Sequence, residues 1–443
     1  MSALISQWRH GSIRAGNVSK PKLVVAHFML GNTYPFTEND WKTTFDQAEE
    51  TGLDALALNL GPEDWQFNQA RSAYSLLTSS PRKLKLFFSL DMNVLPSSSE
   101  EEAYDLIDKI APMISSSASL LWSDSGRPIL STFGGHDRTF GGLGWSKFLQ
   151  ALNHRLGKKV LFIPSFFMPP NDFLSLPFVD GTFAWNNAWP MSNSPTSLDE
   201  DRPFLHSDKP YMAAVSPVFF THYGTSGPFA FNKNWIYRSD DLLYPTRWDH
   251  LLSLPVAERP AIIQVVSWND HGESHAIAPV LGAQPGSDRW TDGMNHDAFM
   301  EMTRYFSQKW KGLPQTVVEE GQVKVWMWYR LHPSSMIIDI IDQDEVGRPG
   351  NADWAQDLIN LMILVPAGSD AKLHLRNGRE RHTRVLKPGD ANLLTIPFVP
   401  GEVQFEVISS GGEQILAGEG KQILKDADRY NFNMWTGSWS TRK

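Results

Sequence analysis

The residues 267–279, SWNDHGESHAIAP, place two carboxylates and two histidines within six positions, directly after the apolar run AIIQVV. Three kinds of chemistry compete for such a stretch. Asn-Asp-His-Gly is good turn chemistry and needs no further purpose. His271 and His275 are four apart, a spacing at which helical histidines chelate zinc, but Gly272 disfavours a helix and the order H-E-x-x-H is absent, so no metal is expected. Asp270 and Glu273 supply what acetal hydrolysis requires: one protonated carboxyl for the leaving oxygen and one carboxylate that activates water or attacks. In one helical turn their Cβ atoms would lie roughly 5–6 Å apart, whereas three extended residues span up to about 10 Å. Both the retaining and the inverting separation stay open.

The elements that must position these residues are legible in the periodicity. From Lys22, short β-rich apolar runs alternate with amphipathic helical stretches, the pattern of repeated βα units around a parallel sheet. Candidate strands are 22–30, 53–60, 83–91, 127–135, 160–167, 181–185, 211–220 and 261–270. The segment TENDWKTTFDQAEETG predicts a helix with a Thr N-cap and acidic residues in its first turn, stopping at Gly52; SSSEEEAYDLIDKIAPMIS and WSKFLQALNHRLG behave similarly. Eight strands closed by a last helix over 296–312 predict an α/β fold, a (β/α)8 TIM barrel over 22–314, with a doubly wound open sheet as the alternative. No G-x-G-x-x-G follows the first strand, so a dinucleotide fold has no support. After Pro314, short alternating runs such as QVKVWMWYRL and EVQFEVISS predict a C-terminal antiparallel β-sandwich over 315–443. Residues 1–21 read as an N-terminal arm.

Composition narrows the partners. Hydrophobic residues make up 41% and charged residues 20%, as in ordinary soluble domains, and a net charge of -9 argues against a surface that tracks nucleic-acid phosphates. Without a single cysteine, neither disulfides nor thiolate metal sites hold the fold. The first residues lack the continuous apolar core of a signal peptide, and no apolar run approaches the roughly 18 residues that span a bilayer. Synthesis in the cytosol, with no membrane partner, is the expectation; secretion is the alternative, and the sequon Asn17-Val18-Ser19 is the one glycosylation candidate. The 17 Trp, 25 Phe and 10 Tyr can line a sugar-stacking groove or fill a core.

Barrel chemistry sits at the C-terminal ends of the strands. There the sequence places His27 on the first strand, Asn59 at the end of the second, Asp91 at the end of the third, Trp185 after the sixth, and Asp270 and Glu273 after the eighth. Each has a structural reading beside it: a helix cap for Asp91, a buried backbone-bonded histidine for His27, a turn for Asn59. The long loops SLDEDRPFLHSDKP and HYGTSGPFAFNKNW are candidate walls of a site. A third carboxylate near the first two would raise a partner's pKa by like-charge repulsion.

With these residues in place, the chain resembles the fungal α-1,3-glucanases, or mutanases, of glycoside hydrolase family 71. The matching stretches are AHFMLGNTYPFTENDW, GLDALALNLGPEDWQ, KLFFSLDM, GRPILSTFGG, FIPSFF, VDGTFAWNNAWP, YMAAVSPVFF, NKNWIYRSDDLLYPTRW and SWNDHGESHAIAP, spread over about 22–310; the ending YNFNMWTGSWS is similar to the family's accessory β-domain. The resemblance implies inverting endo-hydrolysis of α-1,3-glucosidic bonds in fungal cell-wall glucan, with Asp91, Asp270 and Glu273 required. Glu273 is taken as general acid, Asp270 as base and Asp91 as electrostatic partner or alternative base, with acid and base exchangeable. Trp185, Trp189, Trp235 and Trp268 are candidate sugar platforms; His27 and Asn59 match positions that imply binding in the central subsite, and His271 and His275 complete the substrate-binding set.

His271 and Ala276 stand where the family motif W-N-D-Y-G-E-S-H-Y-I-G-P has tyrosines, which puts subsite preference rather than the reaction in question. The missing signal core departs from secreted members and implies a form that meets its wall substrate after release. No cofactor is expected, the partner is α-1,3-glucan, and a monomer suffices. The competing readings are a non-catalytic carbohydrate-binding protein on the same barrel and a hydrolase of a related mixed α-1,3/α-1,4-glucan.

Overall fold

A computed structural model describes residues 22–315, 321–338 and 346–441. The N-terminal arm 1–21 and its sequon lie outside the described residues. Eight parallel strands form one curled sheet: β1 (Leu23–Met29), β2 (Ala55–Leu60), β3 (Lys85–Asp91), β4 (Ile129–Phe133), β5 (Leu161–Phe162), β6 (Thr182–Ala184), β7 (Tyr211–Val215) and β8 (Ile262–Val265). Their order is β5-β4-β3-β2-β1-β8-β7-β6. The seam between β5 and β6 has no regular ladder. It is closed by Gly181 N donating to Phe162 O (3.1 Å) and Phe183 N to Pro164 O (3.0 Å), which completes the expected barrel.

Two expected strands are shorter than their apolar runs, and proline explains both. The 160–167 run is regular only at Leu161–Phe162 because Pro164 offers no N–H to a neighbour. The 211–220 run breaks at Pro217, after which Phe220–Tyr223 turns away to pair with Lys233–Ile236 as a separate antiparallel hairpin. Two of the three expected helix starts follow the sequence signals, whereas Gly144–Leu156 begins after Leu143 with no side-chain cap. Thr37 and Asp40 form a reciprocal capping box on Glu38–Glu50, as do Ser99 and Glu102 on Glu100–Ile114.

Alternation along the strands produces two cores. Val25, Ala55, Ala57, Phe87, Met212 and Ile262 fill the barrel interior, while Val24, Ala26, Phe28, Leu56 and Leu58 face the helices. Beyond the last barrel helix, Asp297–Lys311, the chain builds two four-stranded antiparallel sheets. The strand Lys324–Arg330 turns Trp326 and Trp328 into the barrel's outer core and Val325, Met327 and Tyr329 into the core between the sheets. Glu301 on the last helix accepts from Trp326 Nε1 (2.8 Å) and Ser438 Oγ (2.6 Å) and pairs with Lys324, so the sandwich braces the barrel across an extensive contact. No helix among the described residues is long and apolar enough to cross a membrane.

One buried ion pair ties the sector that carries β7 and β8. Arg247, on helix Leu243–Ser253, donates Nη1 (2.6 Å) and Nη2 (2.7 Å) to Asp201 and Nε to Ala214 O of β7, with both charged side chains fully buried. Removing one partner leaves the other charge buried and uncompensated. Asp201→Ala is therefore expected to lower unfolding free energy by about 3–5 kcal/mol, read by denaturant unfolding; a loss within 1 kcal/mol of zero would contradict it.

Candidate active site

The turn after β8 is stitched to β1. Trp268 N donates to His27 O (2.7 Å), and the Asn269 side chain closes both ways on Met29, accepting from its N–H (2.7 Å) and donating to its carbonyl (3.1 Å). Asn32 Nδ2 reaches Asn269 O (2.9 Å). The turn also closes on itself, through Ser267 N to His275 O (2.9 Å) and Ile277 N to Ser267 O (3.0 Å). Within it, Asp270 N donates to Ser267 Oγ (2.8 Å) and Glu273 N to Asp270 Oδ1 (3.0 Å). Gly272 is required by close approach: a Cβ there would collide with the Tyr223 phenol oxygen, which is itself held by donation to Pro285 O (3.0 Å).

Three carboxyls meet at this rim in unlike surroundings. Glu273 Oε1 receives Lys233 Nζ (3.1 Å), and Oε2 pairs with His275 Nε2 (3.1 Å). Burial works to raise its pKa, but the His275 hydrogen bond and the Lys233 charge prevail and hold it at about 2. Asp270 is raised, by burial first and then by the Glu273 charge. Asp91 is pushed up to about 6 by burial, against the hydrogen bonds from Asn93 and Asn59 and the Lys233 charge. Near pH 5 the site thus holds an ionised Glu273 and a protonated Asp91, with Asp270 shifted toward its protonated form. An ionised Glu273 accepts, so His275 Nε2 carries a proton, and His275 Nδ1 lies 2.9 Å from Ser267 Oγ.

Asp270, Glu273 and His275 each offer an atom within 4.8 Å of the others, a spacing a metal ion can use. Lys233 already sits on that carboxylate, and a dication would meet its fixed positive charge. The donor set suits proton transfer better than metal binding.

The remaining expected residues divide between cleft and core. His27 is buried on β1, with Trp185 edge-on to it at 4.7 Å and Gln264 Nε2 3.2 Å from its Nδ1; burial, with the charge on His275, lowers its pKa to about 3, so it is neutral. Asn59 is buried beside Asp91, and its side chain bonds that carboxylate. Trp185 and Trp189 are buried and form an aromatic floor under the turn, with Trp189 5.6 Å from the His275 ring. Trp235 is half-buried on the hairpin and stacks on Phe219 at 5.7 Å. Trp268, expected beside the carboxylates, instead lies 2% exposed in the layer between sheet and helices and does not line the cleft.

His271 also stands apart. It is buried against a cavity of about 590 Å³ shared with His296 and Trp435, its pKa lowered to about 3 by burial and by the neighbouring His296. The turn therefore does not build the His271–His275 chelate weighed from the sequence.

With this geometry established, comparison with known proteins becomes informative. The sequence profile described as Glycosyl hydrolase family 71 matches residues 20–443. The chain belongs to this family. Family 71 membership makes it a glycoside hydrolase, and its relatives agree. It is 31% identical over 426 residues, 94% of each chain, to the glucan endo-1,3-alpha-glucosidase agn1 of Schizosaccharomyces pombe. It is 28% identical to a mutanase of Penicillium rubens over 95% of this chain and 89% of that one. Among solved structures, the family 99 endo-alpha-mannosidase of Bacteroides thetaiotaomicron covers 66% of this chain and 98% of its own, with 11% identity and a TM-score of 0.47.

Sequence reasoning missed Lys233 and Tyr223, both on the 220–236 hairpin. The signal was present in HYGTSGPFAFNKNW, where one lysine stands among aromatic and small residues, but nothing local shows that it reaches a carboxylate forty positions on. Gly272→Ala is expected to reduce kcat about 10- to 100-fold by displacing the Glu273 turn, and adding Tyr223→Phe should restore part of that loss. Equal activity of the Gly272→Ala variant and the wild type would show that the turn tolerates the shift.

Proposed function

We propose that this family 71 enzyme hydrolyses α-1,3-glucosidic bonds within the α-glucan of fungal cell walls, endo-acting and with inversion. The observation that carries the reading is the unlike surroundings of carboxyls at one rim: Glu273 bonded by Lys233 and His275 and held low, Asp91 and Asp270 raised by burial. Substrate class follows the relatives, named as an endo-1,3-alpha-glucosidase and a mutanase.

The electrostatics favour exchanging the roles first assigned from sequence. A carboxyl held at about 2 is a base rather than an acid, so Glu273 takes a proton from the attacking water as the C1–OH bond forms. Atoms of Asp270 and Glu273 lie within 4.8 Å, short of the roughly 6.5–9.5 Å that leaves room for water between an inverting pair. The acid opposite Glu273 is accordingly Asp91, on a strand three places along the sheet, which protonates the leaving oxygen as the C1–O bond breaks. The raised pKa of Asp270 favours its neutral form, which spares Glu273 a second adjacent negative charge. Trp235 is the open ring available for stacking against a sugar face.

The test is product release from insoluble α-1,3-glucan by wild type and Glu273→Gln, with fresh reducing ends followed by proton NMR. Wild type should release oligosaccharides first as the β-anomer, and the variant should lose about 10²- to 10⁴-fold in rate. First appearance of the α-anomer would transfer the reaction to a retaining Asp270–Glu273 pair. Binding without cleavage by both proteins would identify a carbohydrate-binding barrel, and loss of activity in chelator would indicate a metal hydrolase.

The pH dependence has a definite sign. Glu273 must be ionised, so its requirement is met above about 2; Asp91 must be protonated, so kcat/KM should fall as pH rises through about 6. A profile still rising from pH 6 to 8 would rule out this assignment.

A further inference from the structure

The hairpin of Phe220–Tyr223 and Lys233–Ile236 lies in the chain between β7 and β8 and grips Glu273 twice. Phe220 N donates to the Glu273 backbone carbonyl (3.2 Å), and Lys233 Nζ lies 3.1 Å from the side-chain Oε1. The hairpin is not self-supporting on its other edge. Trp235 forms a parallel bridge with Gly350, in which Gly350 N donates to Asn234 O (2.9 Å) and Ile236 N to Gly350 O (3.1 Å). Asn234 Nδ2 adds a bond to Gly347 O (2.8 Å), and Asn351 Nδ2 reaches Ile236 O (3.3 Å). All three partners belong to the segment between the first and second strands of the sandwich, so the C-terminal region supplies a backbone bridge to the element that carries Lys233.

We propose that Lys233 is a positioning residue of the hydrolytic site, held against Glu273 by residues 347–351 of the C-terminal region so that its ammonium orients the Glu273 carboxylate and keeps it negatively charged. This rests on the reading of Glu273 as the general base. The groups that face Glu273 are His27 from β1, Asp91 from β3, Asp270 and His275 from its own turn, and Lys233, Tyr223 and Tyr237 from the hairpin and the residue following it. Of these, Lys233 is the one permanent cation. Its effect is reciprocal, since the Glu273 charge is the largest influence raising the pKa of Lys233 itself. The sandwich then does more than brace: it completes the electrostatics of a site built otherwise by the barrel.

The experiment is the pH profile of kcat/KM on a soluble α-1,3-oligosaccharide for wild type, Lys233→Met, Lys233→Arg and Asn234→Ala, with folding checked by circular dichroism. Wild type should be flat to the lowest pH at which it stays folded. Lys233→Met should show an acid limb moved up by about 1–3 pH units, the range an opposite charge at this distance controls. Lys233→Arg should restore the wild-type limb, and Asn234→Ala should give a smaller upward shift. The lysine is half-exposed, so its replacement leaves the core intact.

A folded Lys233→Met with the wild-type acid limb overturns the proposal while leaving the base assignment standing, provided Glu273→Gln is inactive. Activity retained by Glu273→Gln would instead overturn the reading beneath it. An unmoved limb in Asn234→Ala would overturn the part given to residues 347–351.

Discussion

The candidate site depends on the seam between the first and last strands of the barrel. Asn269 uses its amide oxygen and nitrogen on the backbone of Met29, and Trp268 N bonds the carbonyl of His27. Buried backbone groups must find partners, and a side chain that satisfies both a donor and an acceptor of one residue fixes the following turn in place as well as in register. Asp270 is the next residue, and Glu273 is hydrogen-bonded back to it. The positions of the acidic oxygens therefore follow from how the barrel closes.

Once fixed there, the carboxyls face an electrostatic problem. Three of them in a half-buried rim cannot all ionise, because burial and like charge both penalise the second and third negative charges. The structure resolves this by unequal support. Glu273 receives an ammonium and an imidazole N–H, whereas Asp91 has amide hydrogen bonds and only the more distant influence of Lys233. The aromatic floor of Trp185 and Trp189 keeps water from His27 and His275 and so sharpens the difference.

Support for Glu273 comes from two distant parts of the chain. His275, itself bonded to Ser267, holds one oxygen from within the turn, and the hairpin holds the other while resting on residues 347–351. The inner sheet of the sandwich is meanwhile fixed to the barrel by Trp326, Trp328 and the Glu301 hydrogen bonds. The segment 347–351 leads directly into this anchored sheet at Leu358–Leu364, so the hairpin's support is tied to the barrel through the sandwich.

The sequence by itself determined the barrel order of strands and helices, the antiparallel C-terminal sheets and the rim positions of Asp91, Asp270 and Glu273. These are carried by local signals: alternation, capping residues such as Thr37 and Ser99, and polar residues at the ends of apolar runs. Prolines 164 and 217 carried the strand breaks too, although hydrophobicity alone extended those strands past them.

Only the tertiary structure decided that Trp268 packs beneath the helices, that His271 turns to a separate cavity, and that the Glu273 pKa is held down while that of Asp270 is raised. The physical reason is that burial and charge are summed over neighbours from the whole chain. Lys233 lies forty residues before Glu273, Met29 lies far earlier than Asn269, and Gly350 approaches from the sandwich. No spacing within SWNDHGESHAIAP encodes those contacts.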